Sequence, residues 1–178
     1  MPRRRNALAA PGRWQRITNA AFLATSVGTL ILLLLLASDD DGFLLVLDHA
    51  NLVFHEAGHV IYGVLGPTAG LYGGTLGQLT FPAIACAIFW RRGEAVPFAL
   101  TVIWLFQNFL NIARYVADAR AQQLPLVGGG DHDWFRILGR WGMLSSDTTF
   151  ASLLSLAGWI GMVAAWVWLL WRWSQEPR

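Results

Sequence analysis

The chain of 178 residues has the length of one domain, but 55% of it is hydrophobic and only 13% charged, a balance too apolar for an ordinary water-soluble fold. Its formal net charge of +2 is carried by arginine without lysine, and no basic patch stands apart from the apolar stretches, so nucleic acid is excluded as an expected partner. The single cysteine, Cys86, rules out an internal disulfide and sits in an apolar run, where packing is its simpler role.

Four stretches, residues 18–37, 43–66, 95–117 and 148–171, are long enough to cross a hydrocarbon core of roughly 30 Å at about 1.5 Å per residue. A fifth, 72–90, is marginal: Gly73, Gly74, Gly77, Gln78, Thr80 and Pro82 make it either a full span or a broken, re-entrant segment lining a cavity. The pattern predicts an all-α integral membrane protein, a single membrane domain over residues 1–178 with about five transmembrane helices and a short interfacial helix.

Arg3, Arg4, Arg5, Arg13 and Arg16 precede the first apolar run, which reads as an anchor rather than a signal sequence. The run is longer than a usual signal core, and no small-x-small cleavage site follows it before Asp39, Asp40 and Asp41. With a cytoplasmic N-terminus and five crossings, those arginines join Arg120, Arg136 and Arg140 on the inner side. Arg91, Arg92, Arg172 and Arg178 lie outside, so the excess is the one expected of a bacterial inner-membrane protein in this orientation.

The second span carries HEAGH at residues 55–59. On a helix this puts His55 and His59 one turn apart on a single face, where both imidazoles can reach one tetrahedral zinc. Glu56 stands beside the open coordination position as general base and acid for a metal-activated water. Chance would supply this pattern on the order of 10⁻³ times in a chain of such composition. An ionisable group at a helix centre in lipid costs about 2.5–3.5 kcal/mol, and a divalent cation is the partner that compensates three of them within five residues. Gly66, Gly70 and Gly74, and likewise Gly73 and Gly77, are spaced by four, which favours close helix packing over contact with substrate.

The fourth span adds a stripe of Gln107, Asn108, Asn111, Arg114, Tyr115 and Asp118. It either lines the site, orienting ligands or holding substrate, or bonds to neighbouring helices; Gln78 poses the same choice. The polar interval 118–147 passes Pro125 and the glycines at 128–130 to Asp131, His132 and Asp133. Trp134, Ile137, Leu138, Trp141 and Leu144 then recur at helical spacing, as in a helix lying at the interface. Catalytic zinc usually takes three protein ligands. His49, six residues before His55, turns to another face, so His132 is the preferred third ligand and Asp133 the alternative. Asp131 and Asp133 also suit helix-start carboxylates, and whichever is free could orient a ligating imidazole.

HEAGH within an apolar span resembles the site-2 protease group of intramembrane zinc metalloproteases, which carry this motif on a membrane helix. That family takes an aspartate as third ligand from a later NxxPxPxLDG pattern. Here Asn111 followed by Asp118 is the nearest counterpart, at a different spacing and without the prolines, so Asp118 is not carried over as a ligand. The segments HEAGH, GGTLGQL, QNFLNIARYVADARAQQLPL and GGGDHDW, across about residues 43–145, are also similar to a subgroup of small bacterial membrane proteins loosely grouped with those proteases.

Three functions are expected in descending order. The first is a zinc-dependent intramembrane peptidase acting on a membrane-associated peptide or protein. The second is a zinc hydrolase of a lipid or amphiphilic amide, and the third a non-catalytic metal-binding membrane protein. Membrane lipid is an expected partner of each.

Overall fold

The structure, a computed structural model, describes residues 14–38, 44–127 and 131–176. Arg3, Arg4, Arg5, Arg13, Asp39, Asp40, Asp41, the glycines at 128–130 and Arg178 lie outside the described residues. The elements are α1 (Asn19–Ser38), α2 (Leu45–Gly63), α3 (Pro67–Arg92), α4 (Ala95–Ala117), α5 (Asp133–Arg140), a short 3-10 turn (Leu144–Ser146) and α6 (Asp147–Ser174). The regular elements among the described residues are all helices, with no strand.

Four helical stretches are long and apolar enough to cross a membrane: Asn19–Ser38, Pro67–Arg92, Ala95–Ala117 and Leu144–Ser174. The exterior is correspondingly apolar, with Leu30, Leu34, Val53, Val60, Leu153, Ile160 and Val167 exposed, while Asp48, Asn51, His55, Gln78, Gln107, Asn108 and His132 are buried. That inversion suits lipid as solvent, because polar groups must then find their partners inside the protein.

α2 is not among the four, since its polar residues lower its hydropathy, although its 19 residues would reach about 28 Å. Its apolar residues Val46, Val53, Val60 and Ile61 face outward. α3, for which the sequence left a full span or a broken segment open, is one continuous helix of 26 residues with Pro82 buried inside it. Packing explains this continuity: Gly58 and Gly73 touch backbone to backbone, a Cβ on Gly73 lying 2.6 Å from the Gly58 carbonyl oxygen. Small residues let α2 and α3 close to this distance and hold a glycine-rich segment helical that would be weak alone.

α4 packs along both α3 and α6, and α5 lies across one end of the bundle. Ile137 and Leu138 of α5 are fully buried, Leu138 in a cluster with Ile112, Ala113 and Val116 of α4 and Ala151 of α6. Their burial contributes about 1.5–3 kcal/mol apiece to seating that short helix. Arg120 Nε donates to Asp147 Oδ2 at 2.8 Å, tying the segment after α4 to the start of α6, and Trp141 Nε1 donates to the Tyr72 hydroxyl at 2.9 Å, tying the end of α5 to α3.

The placement of α1 differs from the alternating topology expected from the sequence. Gln15 N donates to the Gly93 carbonyl at 2.6 Å, and Trp14 packs against Trp90, Phe98 and Trp168. Trp173 Nε1 reaches Asn19 and Trp166 Nε1 reaches Ser26, both at 3.0 Å, so α1 runs antiparallel to α6 from the α3–α4 turn. Leu36, near its far end, packs with Ile103, Leu110 and Met162, about half-way along α4 and α6. Arg16 therefore stands at the same end as Arg91, Arg92 and Arg172, not opposite them. The aromatic cluster around Trp14 outweighs the arginine pattern that predicted the reverse.

Candidate metal centre

His55 and His59 project from one face of α2 toward α3, where Gly74 leaves space for their rings. A Cβ on Gly74 would lie 2.6 Å from His59 Nε2 and closer still to His55 Nε2. Each ring is held through its other nitrogen: His55 Nδ1 lies 2.9 Å from Gln78 Oε1, and His59 Nδ1 lies 2.8 Å from the Gly70 carbonyl oxygen. A carbonyl oxygen only accepts, so Nδ1 carries the proton and each Nε2 presents a lone pair.

The two lone pairs converge on the same point as a carboxylate. His55 Nε2 and His59 Nε2 are 3.1 Å apart, and Asp133 Oδ2 lies 3.0 Å from each. Three acceptors this close repel one another unless a cation sits among them. Ligands around a tetrahedral zinc with bonds of about 2.0–2.1 Å stand roughly 3.3–3.4 Å apart. The observed triangle is within a few tenths of that spacing, and the group can hold a metal ion.

Without a metal, a proton on the imidazoles takes the cation's place. Burial pushes the Asp133 carboxyl up, but hydrogen bonds from His55 and His59 outweigh it and hold the group at about 2.

Asp133, the alternative, and not the preferred His132, thus joins the two imidazoles. The reason is local. His132 is the N-cap of α5, with φ −67° and ψ 114°, and its Nδ1 accepts from Phe135 N at 3.3 Å. Its ring folds back onto the helix start and lies on Tyr115 at a centroid distance of 4.1 Å. It is 2% exposed, and burial lowers its pKa below the usual histidine value. Its Nε2 approaches Asp118 Oδ2 at 3.4 Å rather than the other two histidines. The next residue, first in the helix, is the one aimed at α2, with its backbone N donating to the Tyr115 hydroxyl at 3.1 Å.

The remaining predicted site residues separate into near and far. Gln78 touches His55 and donates to Asn111 Oδ1 at 2.6 Å, so both belong to the surroundings of the centre. Asp118 organises the chain after α4, accepting from Gln123 N at 2.8 Å and Leu124 N at 3.0 Å. Asp131 is exposed and pairs with Arg136 at 3.6 Å. Asn108 is fully buried and donates to the Trp104 carbonyl at 3.0 Å, away from the metal group. His49 Nδ1 meets the Leu45 carbonyl at 2.5 Å.

A cavity of about 810 Å³ opens on the triangle, with Glu56 on its wall beside His55 and His59. Asp48 and Asn111 also border it, and Leu124, Pro125, Leu126 and Val127 give it an apolar side. A second groove of about 570 Å³ between α4 and α6 is lined by apolar side chains such as Val102, Phe106, Ile160 and Trp168 and carries no ionisable group.

Reading the sequence missed the part of Gly74, seen there as packing, and of Tyr115, seen only as one member of a polar stripe. It also passed over Asp48, whose sole signal was a carboxylate near the start of an apolar span. No protein-family model, no curated protein and no solved structure matches the chain.

Proposed function

We propose that this chain is a zinc-dependent membrane hydrolase that cleaves a peptide bond of a membrane-associated substrate. The observation that carries the reading is the triangle of His55 Nε2, His59 Nε2 and Asp133 Oδ2, with edges of 3.0–3.1 Å, opening on a cavity that Glu56 also lines. Two imidazoles and one carboxylate are a donor set that catalytic zinc takes, leaving a fourth position open. When bound, zinc supplies a water acidified toward neutrality and polarises the scissile carbonyl.

The chain's own residues do the rest. Glu56 accepts the proton of the attacking water on its carboxylate and delivers it to the leaving nitrogen, as the C–N bond breaks and a carboxylate product forms. Gln78 and Gly70 keep the two rings turned so that Nε2 faces the centre. Tyr115 holds the backbone from which Asp133 projects.

The resemblance of the HEAGH helix to site-2 proteases supports this reading, since an aspartate from later in the chain joins the two histidines in both. A bacterial cytoplasmic membrane is the setting that the similarity to small bacterial membrane proteins implies. One observation favours a second substrate class: the apolar side formed by residues 124–127 suits the chain of a lipid or amphiphilic amide.

Purified protein in lipid nanodiscs tests the proposal. Glu56→Gln should keep about one zinc per chain and lose hydrolysis, whereas His55→Ala and Asp133→Ala should lose the metal. Wild-type protein that binds no zinc would overturn the reading. Cleavage of membrane peptide pools against lipid amide pools separates the two substrate classes.

A further inference from the structure

His55 differs from its partner in how its tautomer is set. The Gly70 carbonyl that receives the His59 proton is backbone and cannot turn, but the Gln78 side chain can present either its oxygen or its NH₂ to His55. Something must decide which face the amide shows, and the buried contacts lead to Asp48.

Asp48 is 3% exposed and surrounded by donors. Its Oδ1 accepts from Gln107 Nε2 at 2.7 Å and Asn111 Nδ2 at 3.1 Å, with Asn51 Nδ2 at 3.5 Å, and its Oδ2 accepts from Leu44 N. A carboxylate among N–H groups is an acceptor only. Asn111 must therefore turn its NH₂ to Asp48, which leaves its oxygen for Gln78 Nε2 at 2.6 Å. Gln78 then has only its oxygen for His55, at 2.9 Å. The His55 proton must sit on Nδ1, and its Nε2 lone pair is left facing His59 and Asp133.

A second branch has the same sense from the opposite end. The Trp104 indole, a donor only, gives its N–H to Asn51 Oδ1 at 2.9 Å; Asn51 Nδ2 gives to Gln107 Oε1 at 2.7 Å, and Gln107 gives to Asp48. Every bond in both branches runs toward Asp48, so reversing one amide would set two oxygens or two NH₂ groups face to face in a buried site.

We propose that Asp48 is a positioning residue for the metal centre: acting through Asn111 and Gln78, its carboxylate holds the His55 proton on Nδ1 and keeps Nε2 a metal donor. The proposal rests on the metal reading above, extending to the chain's far end the outer partner that a ligating histidine requires. A role for Asp48 confined to capping α2 through Leu44 N predicts no effect on the His55 tautomer, and that separates the two.

The test uses the full chain, ¹⁵N-labelled at histidine, in lipid nanodiscs. The ring-nitrogen shifts of His55 are read without metal, at a pH alkaline enough that the imidazoles are neutral and the proton that replaces the cation is gone, and assigned by difference from His55→Asn; zinc affinity is then measured separately. Asp48→Asn lets either amide face be presented, so His55 should become a mixture of tautomers and zinc affinity should fall about 10–100-fold. Asn111→Leu cuts the connection while leaving the α2 cap intact and should do the same, which carries the test if the first variant does not fold. Gln78→Glu supplies its own acceptor, and in that background Asp48→Asn should return His55 to the Nδ1–H form. A tautomer unchanged in both Asp48→Asn and Asn111→Leu overturns the proposal. Wild-type protein that binds no zinc, while the two variants show these tautomer shifts, supports the positioning role and removes the metal reading instead.

Discussion

Gly74 lies directly against the ring of His55 across the α2–α3 contact, so close that a methyl group there would collide with the ring's Nε2. The same methyl would come within 2.6 Å of His59 Nε2. The glycine is thus part of the centre, since the space it leaves is the space in which both donor atoms converge.

Gly74→Ala should therefore abolish zinc binding, even though alanine is the better helix former by about 0.8–1.0 kcal/mol. Metal content after purification checks this, with circular dichroism showing that the helices persist. Retention of one zinc per chain would refute the close approach.

Exchanging the roles of the two neighbours in DHDW gives opposite results. Asp133→Asn should lose the metal, while His132→Asn, which keeps an N-cap acceptor, should hold it with affinity reduced no more than about 10-fold. Titration calorimetry with zinc on both variants decides which side chain is the ligand.

Acid should release the metal, because imidazole binds a cation only when deprotonated and its ordinary pKa is about 6.5. Zinc affinity should fall steadily as the solution is acidified, which zinc titration at stepped pH checks. In metal-free protein the sign for Asp133 is that of a depressed carboxyl. Its contribution to stability is complete above the ordinary carboxyl value of 3.8 and is lost as pH falls toward about 2. Thermal melts of wild type and Asp133→Asn between pH 5 and about 2 check it: the wild type should lose stability over that interval and the variant should lose less.

The seat of α5 matters to the centre at a distance. Leu138, fully buried between α4 and α6, carries no ligand atom. Leu138→Ala should cost about 2–5 kcal/mol and weaken zinc binding by loosening the helix from which Asp133 projects. A melt that falls without any change in zinc affinity would show the two to be uncoupled.

The spans at 18–37, 95–117 and 148–171 were legible because a long apolar run in the chain maps directly onto a helix. The pair His55 and His59 was legible because their spacing of four fixes a shared face through helix geometry alone. The α3 segment was harder: its glycines weaken a lone helix, and only the approach of Gly58 to Gly73 makes them an asset. The start of α1 was misread because the arginine pattern says nothing of Trp14 finding Trp90, Phe98 and Trp168.

Local pattern was thus sufficient for the helical class and for the two donors that share α2, since both follow from periodicity within one segment. The third donor was beyond it. Whether His132 or Asp133 meets those rings depends on one residue of register at the start of α5 and on Tyr115 taking the backbone N–H of Asp133. The same holds for Asp48, seven positions before His55 on the same helix but joined to it through side chains of α3 and α4. Contacts between segments distant in the chain are made by packing, and no spacing along the chain encodes them.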